Sequence, residues 1–250
     1  MKYSTSTTPQ YQHSLVKSLL LHLAPGVLVT AAFLILRPLL DSSGFPPLFA
    51  FLLAILLVDI PFMLGVMLNE GKKLNGRLSL AGVVRYRQKV SWKTFVLVFV
   101  GAFLLVYLLL MLVAPVNTFL AEHLFSGLPG WLFLDEQTQY EAYPKGVLVA
   151  VFALQLVLTG VVLPWVEELY FRGFLLPRIS RYEKWAPLLG GFFFGLYHIW
   201  QLYSFVTVFL LGTALGYIVW WKRDLRLSIS LHLVANVAVR LTFLMAALAL

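Results

Sequence analysis

The stretch "GVLVAVFALQLVLTGVVLPWVEELYFR", residues 146–172, is an apolar run that ends in two adjacent carboxylates and an arginine. Its first part, 146–163, is long enough to cross a hydrocarbon core of about 30 Å as a helix. Ionisable groups at membrane depth are costly and by default mark a pathway or a site. What Glu167, Glu168 and Arg172 do therefore depends on which other polar groups share their depth.

Comparable runs recur at roughly 16–37, 46–68, 94–115, 186–202, 204–221 and 228–250. Over 250 residues, 60% hydrophobic and 12% charged residues with a mean hydropathy of +0.86 exclude an ordinary soluble domain. In lipid every backbone polar group must be satisfied internally, and runs of this length do so as helices. The expected fold is an all-α polytopic membrane protein: one bundle of about seven transmembrane helices, eight if the chain breaks at Pro164. It forms a single domain over 1–250, with N-terminal spans at about 16–115 and a core at about 146–240 that holds a polar intramembrane site. The first run is too long for a signal-peptide core and lacks a small-residue cleavage site, so it is read as retained. The absence of cysteine removes disulfides, thiolate metal sites and cysteine nucleophiles together.

The net charge of +8 is unevenly placed. The 69–93 connection carries Lys72, Lys73, Arg77, Arg85, Arg87, Lys89 and Lys93, whereas 116–144 carries Glu122, Asp135, Glu136 and Glu141. The positive-inside rule makes the first cytoplasmic and the second external. Counting crossings then places the N-terminus in the cytoplasm, together with Arg178, Arg181 and Lys184 and with Lys222, Arg223 and Arg226. The expected location is a prokaryotic plasma membrane, with the bilayer accounting for the basic balance and no nucleic-acid partner. "LSLAGVVRYRQKVSW" (78–92) reads as a basic amphipathic helix on that surface. The external "GLPGWLFLDEQTQYEAYPKG" offers Trp131, Tyr140 and Tyr143 as an interfacial aromatic belt. Gly191 with Gly195, and Gly212 with Gly216, lie four apart and read as close helix packing.

The polar census inside the membrane is short: Asp59, Glu167, Glu168, Arg172, His198, His232, Asn236 and Arg240, with His22 nearer the cytoplasmic end. At about 1.5 Å per residue, Glu167 lies about 15 Å and His198 about 18 Å from the basic 178–184 turn, and His232 and Asn236 about 9 and 15 Å past Arg226. Three helices thus contribute to one layer, expected to open toward the cytoplasm. Residues four apart share a helix face, so Glu168 pairs with Arg172, while Glu167 points about 100° away and stays available. His22 reads as a packing residue. Asp59 is either the counter-charge of Arg240 or a member of the site. Pro164 removes a helical hydrogen bond and frees the Gly160 carbonyl, which would open the bundle at the level of the carboxylates.

A carboxylate and an imidazole near one water can take its proton, and a second imidazole with an amide can stabilise the oxyanion formed at a carbonyl. That chemistry is amide hydrolysis with no cofactor, the favoured reading. Glu167, His198 and His232 could instead hold a divalent metal such as zinc, an alternative that spacing leaves open.

In order and separation, "EELYFR" at 167–172, "FGLYH" at 194–198 and "HLVAN" at 232–236 resemble the three motifs of the CAAX prenyl protease and bacteriocin-processing (CPBP, or Abi) family of intramembrane endopeptidases. The resemblance implies a peptidase acting on a membrane-associated protein or peptide. In it Glu167 with His198 activates water, His232 with Asn236 forms the oxyanion hole, and Glu168 with Arg172 supports the first motif. Competing readings are a non-catalytic scaffold or bacteriocin-immunity-type protein, and a proton-coupled transporter. Inverted repeats would favour the transporter, and none is evident.

Overall fold

The computed structural model describes residues 11–134, 140 and 142–250; Asp135, Glu136 and Glu141 lie outside the described residues, as does the side chain of Trp131. Six helical stretches are long and apolar enough to cross a membrane. We label α1 Leu15–Asp41, α2 Pro47–Asn75, α3 Trp92–Leu124, α4 145–175, α5 Ala186–Tyr197, α6 Phe205–Lys222 and α7 Leu225–Ala249. The long stretch Lys145–Tyr197 contains both α4 and α5. Non-helical backbone at Ile179 and Glu183 separates them. This is the all-α bundle expected from composition, but the run at 186–202 is not one span. Its helix stops at Tyr197, and at 12 residues α5 is about 18 Å long, short of a hydrocarbon core.

Local chemistry sets the ends. Ser14 and Ser91 accept hydrogen bonds from the amides of Lys17 and Thr94 as N-caps of α1 and α3. Asp224 accepts from Arg226 N–H at the start of α7. Prolines shape the interiors. Wider i→i+5 turns at Ile55–Asp59 and Leu158–Val162 immediately precede Pro61 and Pro164. A proline cannot donate to the carbonyl four residues back, and the wider turn absorbs that mismatch without ending the helix. The expected kink at Pro164 is thus local unwinding, followed after the α-helical residues Leu163–Glu167 by a second wide segment at Glu168–Leu175 that holds Glu168 and Arg172.

The expected amphipathic helix at 78–92 does not form. Residues 76–91 are turns and extended backbone, with Tyr86 at φ 58° and Gly82 at φ 73°, values an α-helix cannot accommodate. Its backbone pairs with helix ends instead: Arg85 N–H donates to Gly173 O at 2.8 Å, Leu225 N–H to Tyr86 O at 2.8 Å, and Gln88 N–H to Arg223 O at 2.9 Å. Val83, Val84 and Tyr86 are buried beneath. Asp224 clips this strap through Val90 N–H at 3.0 Å and Arg226 at 2.6 Å. Burial alone would raise the Asp224 carboxyl, but the hydrogen bonds from Arg226 and Val90 outweigh it and hold the group below the usual carboxylate range. Arg178 reaches Val83 O, and His13 N–H donates to Arg178 O. The N-terminal segment, the strap, the 176–185 connection and the start of α7 therefore meet at one basic end of the bundle.

Small residues let α5 and α6 pack backbone to backbone. A Cβ on Gly191 would overlap Thr213, and one on Gly212 would press on Phe194. With no hydrophobic drive between helices in lipid, such close contact is what holds them. By contrast α3 is loosely held: of Trp92–Phe119 only Ala102 and Val106 are buried. Leu97, Met111 and Leu112 on it are exposed, as a lipid-facing surface would be.

The two neighbouring glycines of α5 give a paired test. A Cβ on Gly190 meets only Leu176 at ordinary contact distance. Gly191→Ala is expected to lower stability by about 1–3 kcal/mol through overpacking, with Gly190→Ala close to neutral, in thermal or denaturant unfolding of the detergent-solubilised protein.

Candidate active site

Glu168 is the most enclosed of the predicted site residues, with no exposed surface. Its Oε1 lies 3.1 Å from Arg172 Nη1 and 2.9 Å from His232 Nδ1. The predicted four-residue pairing with Arg172 is present, and the same oxygen also anchors an imidazole from α7. Arg172 is fixed from two further sides: its Nη2 donates to Gly212 O at 3.3 Å, and the guanidinium lies 4.1 Å from the Phe194 ring centroid. Phe194 opens the second motif, so the cation–π contact ties motif one to motif two.

Glu167 has the freer position. It is 3% exposed but lines a cavity of about 580 Å³ together with Gln155, Thr159, Pro164, His198, His232, Asn236 and Arg240. Its Oε2 lies 3.7 Å from His232 Nε2. His232 is thus the imidazole nearest Glu167, and His198 lines the same cavity. His198 sits at the cap that ends α5, where backbone of φ −79° and ψ 53° turns it out of the helix. Its Nδ1 is 2.9 Å from Phe194 O. A carbonyl only accepts, so Nδ1 carries the proton, and Nε2 of the neutral ring keeps a lone pair. Asn236 donates one amide hydrogen to His232 O at 3.1 Å, leaving a second.

His232 is set by the same logic. Glu168 paired with Arg172 is a carboxylate, so His232 Nδ1–H donates to it, and Nε2 can donate only when the ring is an imidazolium. A base and an oxyanion donor are therefore both available in this layer, supplied by α4, α5 and α7.

Three residues complete the region without a clear sequence signal. Tyr197 hydroxyl donates to Asp59 Oδ2 at 2.6 Å and also faces Glu167. The partner of Asp59 is thus Tyr197, in place of the Arg240 proposed from charge balance. Thr159 and Gln155 line the cavity about two and three turns from Glu167 toward the far end of α4. The only sequence trace of this pair is a polar residue at each of two positions four apart in an apolar run, which reads equally well as lipid-span background. His22 is buried, bonds Ser18 O at 2.7 Å and packs on Phe171 and Phe193, the packing role expected of it.

The cavity extends away from Glu167 in one direction. Its lining runs from Glu167 toward Leu48, Leu134 and Gln201, away from the basic end, where Phe171, Phe174 and Leu175 are buried. A second cavity of about 860 Å³ meets it at His198, Gln201, His232, Asn236 and Arg240 and lies between α3, α6 and α7, with Val106, Leu211, Leu215 and Leu231 in its walls. The layer is thus bordered by two cavities, one running away from the basic end and one lying between α3, α6 and α7.

Among the described residues no three His, Cys, Asp or Glu side chains converge closely enough to hold a metal ion. Glu167, His198 and His232 share a cavity, but they do not form a ligand set in this geometry.

Residues 149–238 match the family model described as "Type II CAAX prenyl endopeptidase Rce1-like", a stretch that contains all three motifs. Comparison with curated proteins and with solved structures gives no match.

The Glu168 cluster predicts an asymmetric response. Arg172→Met leaves a buried carboxylate with one partner and is expected to cost about 3–5 kcal/mol, whereas the double variant Arg172→Met with Glu168→Leu recovers much of that loss. Unfolding of the single and double variants checks it; equal stability of the two would mean that the pair is not the anchor described.

Proposed function

We propose that this chain, whose residues 149–238 form a CAAX-protease-type domain, is an intramembrane endopeptidase that hydrolyses a peptide bond of a membrane-associated protein or peptide with water activated at Glu167. The observation that carries this reading is the division of labour between adjacent carboxylates: Glu168 is consumed by Arg172 and His232, while Glu167 faces a cavity.

In the proposed mechanism a water between Glu167 and His198 loses its proton to Glu167, with the His198 Nε2 lone pair accepting its other hydrogen as a hydrogen bond. The oxygen attacks the scissile carbonyl. Charge on the carbonyl oxygen is met by His232 Nε2–H, as an imidazolium balanced by Glu168, and by the second hydrogen of Asn236 Nδ2. Glu167 then delivers its proton to the leaving amine, which restores the carboxylate. Arg172 touches no reacting atom and acts by holding Glu168. Tyr197 positions Glu167 from the side of Asp59. Substrate reaches the site through the lateral cavity, and its termini decide how far it extends into the other one.

The proposed orientation has the N-terminus and basic end in the cytoplasm of a prokaryotic cell. The chain has no cysteine, so single cysteines can be introduced without background. A cysteine replacing Lys73 is expected to be shielded from an impermeant thiol reagent in intact cells, and one replacing Leu128 to be labelled; the reverse pattern would invert the topology.

For activity, Glu167→Gln is expected to lower turnover of a membrane-inserted peptide library by about 10²–10⁴-fold. Glu168→Gln is expected to reduce turnover and stability together. Cleavage that persists undiminished in Glu167→Gln would defeat the mechanism. Retention of wild-type cleavage in excess chelator is the result expected of a water held by side chains alone.

A further inference from the structure

The face of α4 turned away from the site carries a groove of its own. Trp165 stands two residues before Glu167, about 200° round the α-helical segment Leu163–Glu167, and is 53% exposed. It shares with Arg226 and Ile229 the walls of two adjoining cavities of about 750 and 770 Å³. The strap at 76–91 closes one end of the first, and Trp92 and Phe95 at the start of α3 border the second.

The groove has a charged rim and an apolar wall. Arg87 and Lys89, two apart on the strap, both line it and are exposed. Its one carboxylate among the described residues, Asp224, is taken by Arg226 at 2.6 Å and by Val90 N–H at 3.0 Å. Arg226 is satisfied by the same contact, whereas neither Arg87 nor Lys89 has an ion pair among the described residues. The wall of Leu169, Trp165 and Ile229 descends from that rim. The strap is pinned at Leu225 and Gly173, so Ile229 lies about 6 Å and Trp165 about 12 Å from it along their helices.

Two unpaired cations above an apolar wall of that depth complement an amphiphile with a negative head. In lipid an apolar wall gives a protein partner little to gain, whereas an acyl chain is already there. Exposed Trp92 and Trp165 beside the cations are the residues expected at a headgroup boundary. We propose that this groove binds an anionic phospholipid, its phosphodiester at Arg87 and Lys89 and an acyl chain along Leu169, Trp165 and Ile229. The site does not depend on the peptidase reading. Occupied, it joins the strap to α4 and α7, and through Arg85 N–H on Gly173 O the strap touches the wide segment that holds Glu168 and Arg172.

The test uses the full chain in phosphatidylcholine nanodiscs that contain a trace of phosphatidylglycerol or of phosphatidylcholine, each with the same photoactivatable acyl chain. Cross-links are mapped by mass spectrometry. Label within 164–170 and 225–230 is expected to be about tenfold higher with phosphatidylglycerol, as two cations near an anionic headgroup imply. Arg87→Gln with Lys89→Gln should erase that enrichment. Lys72→Gln with Arg77→Gln, at the same basic end but outside the groove, should leave it unchanged. Ile229→Trp, which fills the wall and keeps both cations, should lower label from phosphatidylglycerol severalfold, and it serves alone if the strap variant fails to fold. Excess soluble glycerol phosphate at matched ionic strength should displace nothing; displacement would mean that the rim takes an anion without the lipid. That result, equal labelling by the two lipids, enrichment that survives loss of both strap cations, or enrichment lost equally with Lys72 and Arg77 overturns the proposal.

Discussion

One carboxylate oxygen organises the interior. Glu168 Oε1 meets Arg172 on its own helix and His232 on α7, and Arg172 in turn reaches Gly212 on α6 and the Phe194 ring on α5. Four helices are thus joined through a single buried ion pair. In lipid, where apolar side chains gain little by touching one another, such a polar node and the small-residue contacts around it supply most of the specificity of packing. The same node fixes which nitrogen of His232 carries its proton, so structure and chemistry depend on one constraint.

The wide turns belong to that arrangement. An α-helix places residues 167 and 168 about 100° apart, and the i→i+5 segment that follows keeps Arg172 against Glu168 while Glu167 turns to the cavity. Pro61 on α2 and Pro164 on α4 follow equivalent turns; Asp59 ends the first, and Glu167 ends the short α-helical segment between two wide ones. Tyr197 joins the two regions from α5, its hydroxyl on Asp59 and facing Glu167.

Much of this was legible in the sequence, for physical reasons. Apolar length gave the spans, and helical periodicity gave the Glu168–Arg172 pair and the freedom of Glu167. The four-residue glycine spacing anticipated the backbone contact of α5 with α6. What escaped were features fixed between segments. The 78–92 strap has the composition of an interfacial helix, but its amides are claimed by Gly173, Arg223 and the start of α7, a competition invisible to local pattern. Order along the chain does not say which imidazole lies nearer Glu167, and the structure puts His232 Nε2 3.7 Å from its Oε2. Depth counted from the basic turns measures distance from one surface and does not say which way the cavities extend. Charge alone left Asp59 as either the counter-charge of Arg240 or a member of the site, and the structure bonds it to the phenol next to the second-motif histidine.

The lengths of neighbouring helices carry a last consequence. The stretch Trp92–Leu124 has 33 residues, about 50 Å of helix, whereas Phe205–Lys222 has 18, about 27 Å. The longer helix meets one bilayer either by tilting or by carrying its polar end, with Asn117, Glu122 and His123, beyond the hydrocarbon. Because α3 covers the lateral cavity at Val106 and is otherwise scarcely buried, the thickness of the host membrane sets the angle at which it crosses that opening.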